Sequence, residues 1–395
     1  MDFTNLLAER TELMKANAIR EILKVVAKPG IISLAGGIPS PESFPMDLFH
    51  ELSRRVMEKY QSAAFQYDLT EGFIPLREQL SLLLAGRKIE AGPEDIHVTS
   101  GSQGALDAVG KLLISKGDKI AMESPTYLGA ISAFNPYEPR YVSMETDDHG
   151  LIPESLEQTL KTHRIKLIYL VPTFQNPTGR TLPMERRIRI AELLKKYDAL
   201  LVEDDPYSAL RYDGEPVPAV KTMAPDHVIY VSTLSKIFAP GLRIGFYAAP
   251  EFLSRWLVLV KQGVDLHTST FNQALAAQYL EGGYLENHLP KIIKLYRPRQ
   301  QAMLNALETG MPREFTCSPS QGGMFLWVSG PENFDAMTLY EKAVEKGVAF
   351  VPGRFFYTDP SQGHETMRLN YTMADEATIE TAVEKLGAAA REIIG

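Results

Sequence analysis

The feature that most constrains the fold is a regular alternation between residues 50 and 290. Short runs rich in β-branched and aromatic residues alternate there with longer amphipathic stretches. The runs that we predict to be strands are IHVTS, KIAME, KLIYLV, ALLVED, VIYVS and IGFYAAP. Several are apolar throughout, which is typical of strands covered on both faces. Repeated strand-helix units of this kind favour a mostly parallel sheet between layers of helices.

The helices between these strands carry apolar residues at helical spacing. The segment SQGALDAVGKLLISKG (102–117) shows this pattern and ends at a glycine, and PMERRIRIAELLKKYD (183–198) is similar. We interpret three arginines of the second segment, Arg186, Arg187 and Arg189, as a solvated face.

The pattern changes after residue 290. A long charged helix is followed by the apolar runs GGMFLWV, VAFVPG and TMRLNYT, with helices between them. A chain of 395 residues is also too long for one simple core. We therefore predict an N-terminal segment over 1–45 that contributes to a small domain, a large α/β/α domain over 46–289, and a small α+β domain over 290–395.

Composition narrows the class of partner and the location. A formal net charge of −8 argues against a nucleic-acid binder, because such proteins usually carry a basic face. The only cysteine, Cys317, cannot form an intrachain disulfide, which fits a reducing compartment. No apolar run approaches the roughly 18 residues of a membrane span, and the first residues lack a signal-peptide pattern. We predict a cytoplasmic protein that binds small molecules, and neither nucleic acid nor membranes.

A strand, a Gly/Ser turn and a helix meet in VTSGSQGAL (98–106), where Ser102 and Gln103 begin the helix. Such a junction directs unpaired backbone N–H groups and the positive end of the helix dipole at one point, which suits a phosphate group. The same pattern is also that of an ordinary helix N-cap, so the turn by itself leaves both interpretations open.

A lysine stands in an unusual place in STLSKIFAPGLRIG (232–245). Lys236 follows the predicted strand VIYVS and so lies near the carboxyl end of a strand, where open α/β sheets bind their ligands. Thr233, Ser235 and Arg243 surround it with two hydroxyl groups and a cation, a second set of phosphate partners. The sequence therefore predicts a lysine and a phosphate group in one crevice, with a loop lysine of no special role as the alternative.

Acidic and amide side chains end two further strands. VEDDPY (202–207) contains three consecutive acids, among them Asp204, and Asn176 lies in PTFQNPTG after another strand. The histidines show no metal-ligand spacing, so we predict no metal site. A helix cap and an ordinary loop are the alternatives for these two segments.

Together these motifs resemble the fold-type I pyridoxal-phosphate aminotransferases, over nearly the whole chain. They are the lysine in SKIFAPGLRIG, the NPTG turn, an acid followed three residues later by tyrosine, and MRLNY near the end. The segments ISLAGGIPSPESFP, QYDLTEG and KQGVDLHT are similar to the subgroup of 2-aminoadipate and kynurenine/aminoadipate aminotransferases. The resemblance implies a mostly parallel seven-stranded sheet in the large α/β/α domain, plus the smaller α+β domain.

The resemblance also implies pyridoxal 5′-phosphate as the cofactor. Lys236 matches the lysine that holds the cofactor covalently and later carries a proton at the substrate Cα. Asp204 matches the carboxylate beside the pyridine nitrogen, which keeps that nitrogen protonated. The other residues that match cofactor-binding positions are Ser102, Gln103, Tyr127, Asn176, Tyr207, Thr233, Ser235, Arg243 and, from the neighbouring subunit of a homodimer with shared active sites, Tyr67.

Three further residues match substrate-binding positions of the family. Arg368 in MRLNY matches the arginine that binds the substrate α-carboxylate in a bidentate manner, and Asn176 adjoins the same site. Gly36 would let the backbone approach that carboxylate closely. Arg20 matches the arginine that meets the distal carboxylate of 2-aminoadipate, although Asn17, one turn earlier, departs from the serine expected there.

The implied activity is transfer of the amino group of an L-amino acid, 2-aminoadipate by preference, to 2-oxoglutarate in a ping-pong reaction. A broad specificity for aromatic, branched-chain or kynurenine substrates is the alternative, followed by a β-lyase of the same fold. The effector-sensing half of a transcription regulator is disfavoured by the acidic chain and by the short segment that precedes AGGIPS. An inactive homologue is disfavoured because Lys236, Asp204 and Arg368 are all present.

Overall fold

The computed structural model describes residues 3–14, 22, 29–318 and 320–394. The strands in these ranges are β1 (Ile32–Ser33), β2 (Ile96–Ser100), β3 (Lys119–Glu123), β4 (Arg140–Met144), β5 (Thr146–Asp147), β6 (Gly150–Leu151), β7 (Ile165–Leu170), β8 (Leu201–Asp204), β9 (Val228–Thr233), β10 (Ile244–Ala248), β11 (Thr316–Cys317), β12 (Phe325–Ser329), β13 (Val348–Ala349), β14 (Val351–Pro352) and β15 (Thr366–Asn370).

The α-helices in the same ranges are α1 (Met46–Tyr60), α2 (Ile74–Gly86), α3 (Ser102–Leu113), α4 (Leu128–Phe134), α5 (Pro153–Thr162), α6 (Met184–Tyr197), α7 (Glu251–Gln262), α8 (Thr270–Glu281), α9 (Tyr284–Gly310), α10 (Ala336–Glu345) and α11 (Glu376–Ile394). Among the residues described, no helix is both long and apolar enough to cross a membrane.

The centre of the molecule is a seven-stranded sheet in the order β2-β10-β9-β8-β7-β3-β4. Strand β10 runs antiparallel to both of its neighbours, and the remaining pairs are parallel. The strands β8, β9 and β10 are buried along their whole length, because helices cover both faces of the sheet and apolar side chains point to each face. The predicted mostly parallel α/β architecture is confirmed.

A second, smaller sheet is built from the C-terminal part of the chain. Its four strands pair in the order β11-β12-β15-β14, all antiparallel, and helix α9 packs against α11 beside them. Strand β1 pairs with β13 in parallel, so a segment from the first 45 residues joins the C-terminal unit. The predicted division at residue 290 falls within α9, which continues from one unit into the other. The division into domains stays a prediction.

The parallel strands bring the predicted motifs to one edge of the large sheet. Asp204 is the last residue of β8 and Thr233 the last of β9, and these two strands are neighbours. Strand β10 is antiparallel to them, so the residue before its start, Arg243, lies at the same edge. Helix α3 begins at Ser102 directly after the end of β2, which is the other neighbour of β10. The carboxyl edge of the sheet is thus where a ligand would bind.

The interpretation of three arginines of α6 as a solvated face is wrong for Arg187. Its side chain is 1% exposed and donates hydrogen bonds to the carbonyl oxygens of Leu182, Pro172 and Pro218 at 2.9, 2.8 and 3.1 Å. The interpretation also fails for Arg186, whose side chain is 18% exposed and pairs with Asp147. It holds for Arg189, whose side chain is 41% exposed. Arg187 forms hydrogen bonds to the loops that follow β7 and β8 and so connects them. Helical spacing in the sequence does not predict this role.

Candidate active site

A cavity of about 460 Å³ opens at the carboxyl edge of the large sheet. It is bordered by residues of both the large sheet and the C-terminal unit. The predicted site residues that line it are Ser102, Gln103, Tyr127, Asn176, Asp204, Tyr207, Thr233, Ser235, Lys236, Arg243 and Arg368. Most of the predicted site residues, which belong to separate sequence motifs, therefore line one cavity.

Two of the predicted residues do not line this cavity, and a third is outside the described residues. Tyr67 is 78% exposed, and its ring contacts that of His267 edge-on with the ring centroids 5.7 Å apart. Gly36 does not line the cavity, whereas its neighbour Gly37 does. Arg20 is outside the described residues, as is Asn17.

The amine of Lys236 projects into the cavity. Its Nζ donates a hydrogen bond to the carbonyl oxygen of Gly37 at 3.2 Å. Burial lowers the pKa of Lys236 to about 8, and the nearby cations Arg243 and Arg368 act in the same direction. A larger fraction of this amine is therefore neutral, and so nucleophilic, near neutral pH than of an exposed lysine.

Asp204 lies in the wall of the cavity with one oxygen held and one oxygen free. Its Oδ2 accepts a hydrogen bond from the hydroxyl of Tyr169 at 2.7 Å, while Oδ1 is buried and has no hydrogen-bond partner among the described residues. Burial raises the pKa of Asp204 to about 7, and the hydrogen bond from Tyr169 opposes this effect. A buried carboxylate oxygen without a partner is costly, so Oδ1 suits a ligand that brings a donor or a positive charge.

The cavity also offers a place that is suited to an anion. The N-terminus of α3 opens into it at Ser102, and the N-cap residue Gly101 provides no side-chain cap for the free N–H groups. Gly101 has a φ of +77°, and a Cβ at this position would overlap the guanidinium of Arg243. The hydroxyls of Thr233 and Ser235 lie 2.9 Å apart beside them. Backbone donors, hydroxyls and a cation thus surround a position that fits a phosphate group.

Arg368 is a fully buried cation held in a fixed orientation. Its Nη1 donates to Oδ1 of Asn176 at 2.9 Å and its Nη2 to the carbonyl oxygen of Ala35 at 2.8 Å, while Nε has no partner in the part of the chain that the structure describes. The guanidinium lies over the rings of Phe325 and Phe356, at 4.3 and 4.9 Å from their centroids. Burial lowers the pKa of Arg368 to about 10, which still leaves it charged at neutral pH.

Two tyrosines, Tyr127 and Tyr207, also line the cavity. The hydroxyl of Tyr207 accepts a hydrogen bond from Nδ2 of Asn176 at 3.4 Å, and Tyr207 is buried. Burial raises the pKa of Tyr127 to about 12, so its hydroxyl remains protonated and neutral. Both side chains offer a hydroxyl and an aromatic face to a flat ligand.

Several residues of the site were not found from the sequence. Tyr169 contacts Asp204 from inside the sheet, and the only signal for it is a tyrosine in the run LIYL, where its neighbours are aliphatic. Phe325 and Phe356 flank Arg368, but each looks like an ordinary core residue in the sequence. Gly37 borders Arg368, because a Cβ at this glycine would lie 3.8 Å from Nη2 of the arginine.

A family model described as aminotransferase class I and II matches residues 42–386. The chain belongs to this aminotransferase family. It is therefore a transaminase, and its cofactor is pyridoxal 5′-phosphate. The resemblance noted from the motifs is confirmed, as is the fold type that it implied.

The relatives of this aminotransferase differ in the substrates that their names give. An aromatic-amino-acid aminotransferase 1 from Thermococcus litoralis is 45% identical over 99% of this chain and 95% of its own. A 2-aminoadipate transaminase from Thermus thermophilus is 38% identical over 96% of this chain and 95% of its own. The crystal structure of a Pyrococcus horikoshii kynurenine aminotransferase superposes with a TM-score of 0.96 at 43% identity, over 100% of this chain and 99% of that one.

The residues present fit the cofactor of the family. Pyridoxal phosphate has a basic ring nitrogen, and the cavity offers it Oδ1 of Asp204, for which the described residues provide no partner. It also has a phosphate group, for which the uncapped N-terminus of α3 and Arg243 are suited. The amine of Lys236 lines the same cavity, where it can reach an aldehyde.

Proposed function

We propose that this aminotransferase moves the amino group of an L-amino acid to 2-oxoglutarate in a ping-pong reaction, with glutamate as product. The observation that carries the proposal is the placement of Arg368 in the same cavity as Lys236 and Asp204. An amino acid and a 2-oxo acid share an α-carboxylate, and a guanidinium binds such a group in a bidentate manner. One arginine therefore serves both halves of the reaction at one site.

Pyridoxal phosphate supplies an aldehyde that takes the amino group and a ring that withdraws electrons from the substrate Cα. Asp204 would hold the ring nitrogen, and Tyr207 with Asn176 would hold the ring hydroxyl. The ring face would lie against Tyr127. The phosphate would be bound by Ser102, Gln103, Thr233, Ser235 and Arg243, all of which line the cavity.

The protein groups then position the substrate and move its proton. Arg368 is held by Asn176 and Ala35, so the orientation of a carboxylate bound to it is fixed. Nζ of Lys236 is suited to accept the proton from the substrate Cα, because its pKa of about 8 is close to the working pH of a general base.

For the amino donor we propose 2-aminoadipate, whose distal carboxylate would be bound by Arg20. The relative from Thermus thermophilus, which is named for this substrate, supports the proposal.

A second candidate is a broad specificity that includes aromatic amino acids. Ile38 and Leu128 line the cavity, and the cations that border it among the described residues are Lys236, Arg243 and Arg368. The apolar lining and the relative from Thermococcus litoralis both favour aromatic side chains.

A substrate panel on wild type and Arg20→Ala separates the two candidates. If Arg20 binds the distal carboxylate, the variant loses about 10- to 100-fold in kcat/KM for 2-aminoadipate and glutamate, which corresponds to the roughly 1.5–3 kcal/mol of a charged hydrogen bond. Turnover of phenylalanine and leucine stays unchanged. Arg54→Ala removes an exposed helix arginine and serves as the control. Equal turnover of 2-aminoadipate by wild type and Arg20→Ala would rule out the role given to Arg20.

We further propose a homodimer in which Tyr67 reaches the phosphate site of the partner. Tyr67 is exposed and is accompanied by the exposed apolar side chains of Phe65, Leu69 and Ile74. A cluster of exposed apolar residues of this kind is typical of a protein–protein contact.

A cytoplasmic location stays a prediction.

A further inference from the structure

We infer that Tyr169 is a positioning residue for the cofactor, because its hydroxyl fixes one oxygen of Asp204 and leaves the other free for the ring nitrogen. The inference rests on the role of Asp204 in the proposed function. Tyr169 belongs to none of the sequence motifs described above. The inference is that it increases the preference of the site for a ligand with a ring nitrogen.

The geometry places Tyr169 behind Asp204, within the sheet. Tyr169 lies in β7 directly opposite Val202 of β8, two residues before the end of that strand. Its Oη is 2.7 Å from Oδ2 of Asp204, and the tyrosine is completely buried. The ring packs edge-on against Phe134 with the centroids 6.1 Å apart. A tyrosine enclosed in this way holds the carboxylate in one rotamer, in which Oδ1 has no partner within the described ranges of the chain.

The hydroxyl also determines how easily Asp204 is charged. Burial and the neighbouring Asp205 both raise the pKa of Asp204, and the bond from Tyr169 is the interaction that lowers it. Tyr169 stays a donor, because burial raises the pKa of its own phenol well above 10. Without the hydroxyl, the carboxylate would take up a proton more readily and would stabilise a protonated ring nitrogen less.

The chain provides a matched control in the next buried tyrosine of the sheet. Tyr230 lies in β9 and donates its hydroxyl to Oδ2 of Asp205 at 2.5 Å. Tyr230→Phe therefore also removes a buried tyrosine hydroxyl that donates to an aspartate. That aspartate, Asp205, does not line the site cavity. A general effect of losing a buried hydroxyl would appear in both variants.

The experiment compares two ligands of the cofactor-free protein, pyridoxal phosphate and its 1-deaza analogue, in which a C–H group replaces the ring nitrogen. Dissociation constants are measured for wild type, Tyr169→Phe and Tyr230→Phe. The ratio of the two constants reports the preference for a ring nitrogen. We expect Tyr169→Phe to reduce this preference about tenfold or more, the size of a hydrogen bond to a charged group, and Tyr230→Phe to leave it at the wild-type value.

A second variant guards against a folding defect in Tyr169→Phe. Incorporation of 3-fluorotyrosine at position 169 keeps the hydroxyl and makes it a stronger donor, so the preference for the ring nitrogen should rise above that of wild type. An unchanged ratio in both position-169 variants, or an equal loss in Tyr230→Phe, would overturn the inference. If wild type binds neither ligand, it is the proposed function that fails.

Discussion

Lys236 shares its cavity with two arginines, Arg243 and Arg368, and with a buried acid, so its chemistry depends on its surroundings. Burial together with the two cations lowers its pKa to about 8. Only the neutral amine attacks an aldehyde, and the neutral fraction rises with pH until the pKa is passed.

Attachment of pyridoxal phosphate to the cofactor-free protein should therefore accelerate about tenfold per pH unit below pH 8 and level off above it. Stopped-flow absorbance gives the rates, and Nα-acetyllysine measured alongside corrects for ionisation of the cofactor itself. A rate that keeps rising to pH 10 would mean that the amine has the pKa of an exposed lysine.

Residues at strand ends were predictable from the sequence, and residues that act from inside the sheet were not. Asp204 and Thr233 terminate apolar runs, so their position at the carboxyl edge follows from the alternation of strands and helices. Tyr169 and Phe325 lie within buried strands, where an aromatic residue looks the same whether it packs or assists the site. Whether such a residue only packs in the core or contacts a site residue depends on which strands are neighbours in the sheet. A single sequence does not show which strands are neighbours.

At the scale of elements, the ends of the predicted strands lie within three residues of the observed ones, whereas β4 was missed. Its sequence, RYVSM (140–144), is exposed or half-buried over four of its five residues, because it is the edge strand of the sheet. It therefore lacks the continuous apolar run that identified β8 and β9. The run VAFVPG, predicted as one strand, forms the two short strands β13 and β14, which pair with different partners.

Two arginines of helix α6 test how much the hydrogen bonds of a buried cation contribute to the stability of the fold. Arg187→Ala would leave the carbonyl oxygens of Pro172, Leu182 and Pro218 without their donor, so we expect a loss of roughly 3 kcal/mol in the free energy of unfolding. Arg189→Ala, on the same helix and exposed, should cost less than about 1 kcal/mol. Urea unfolding followed by circular dichroism measures both, and similar losses would contradict the role given to Arg187.

At the scale of the whole molecule, the N-terminal segment and the C-terminal unit combine around one site. Strand β1 pairs with β13, and the carbonyl oxygens of Ala35 and Gly37, shortly after β1, contact Arg368 and Lys236. The long-range pairing was anticipated only in outline. Helical and strand periodicity report on neighbours in sequence, not on contacts between residues more than 300 positions apart.

The proposed homodimer predicts complementation between two defective chains. Lys236→Ala lacks the amine, and Tyr67→Ala lacks the residue proposed to cross to the partner. In a hybrid dimer, one of the two sites has both residues intact. Chains unfolded and refolded together should therefore recover up to about a quarter of the wild-type activity, well above the mean of the two parents. No gain on mixing, or a monomer by sedimentation, would contradict the shared site.

The central claim is that the amine at position 236 bonds to pyridoxal phosphate in this cavity. The most direct measurement is borohydride reduction of the purified protein with the cofactor, followed by proteolysis and mass spectrometry of the peptides. We predict a single phosphopyridoxyl group, on Lys236, that is absent from Lys236→Ala. A stable adduct on a different lysine, or no adduct with excess cofactor, would contradict the claim.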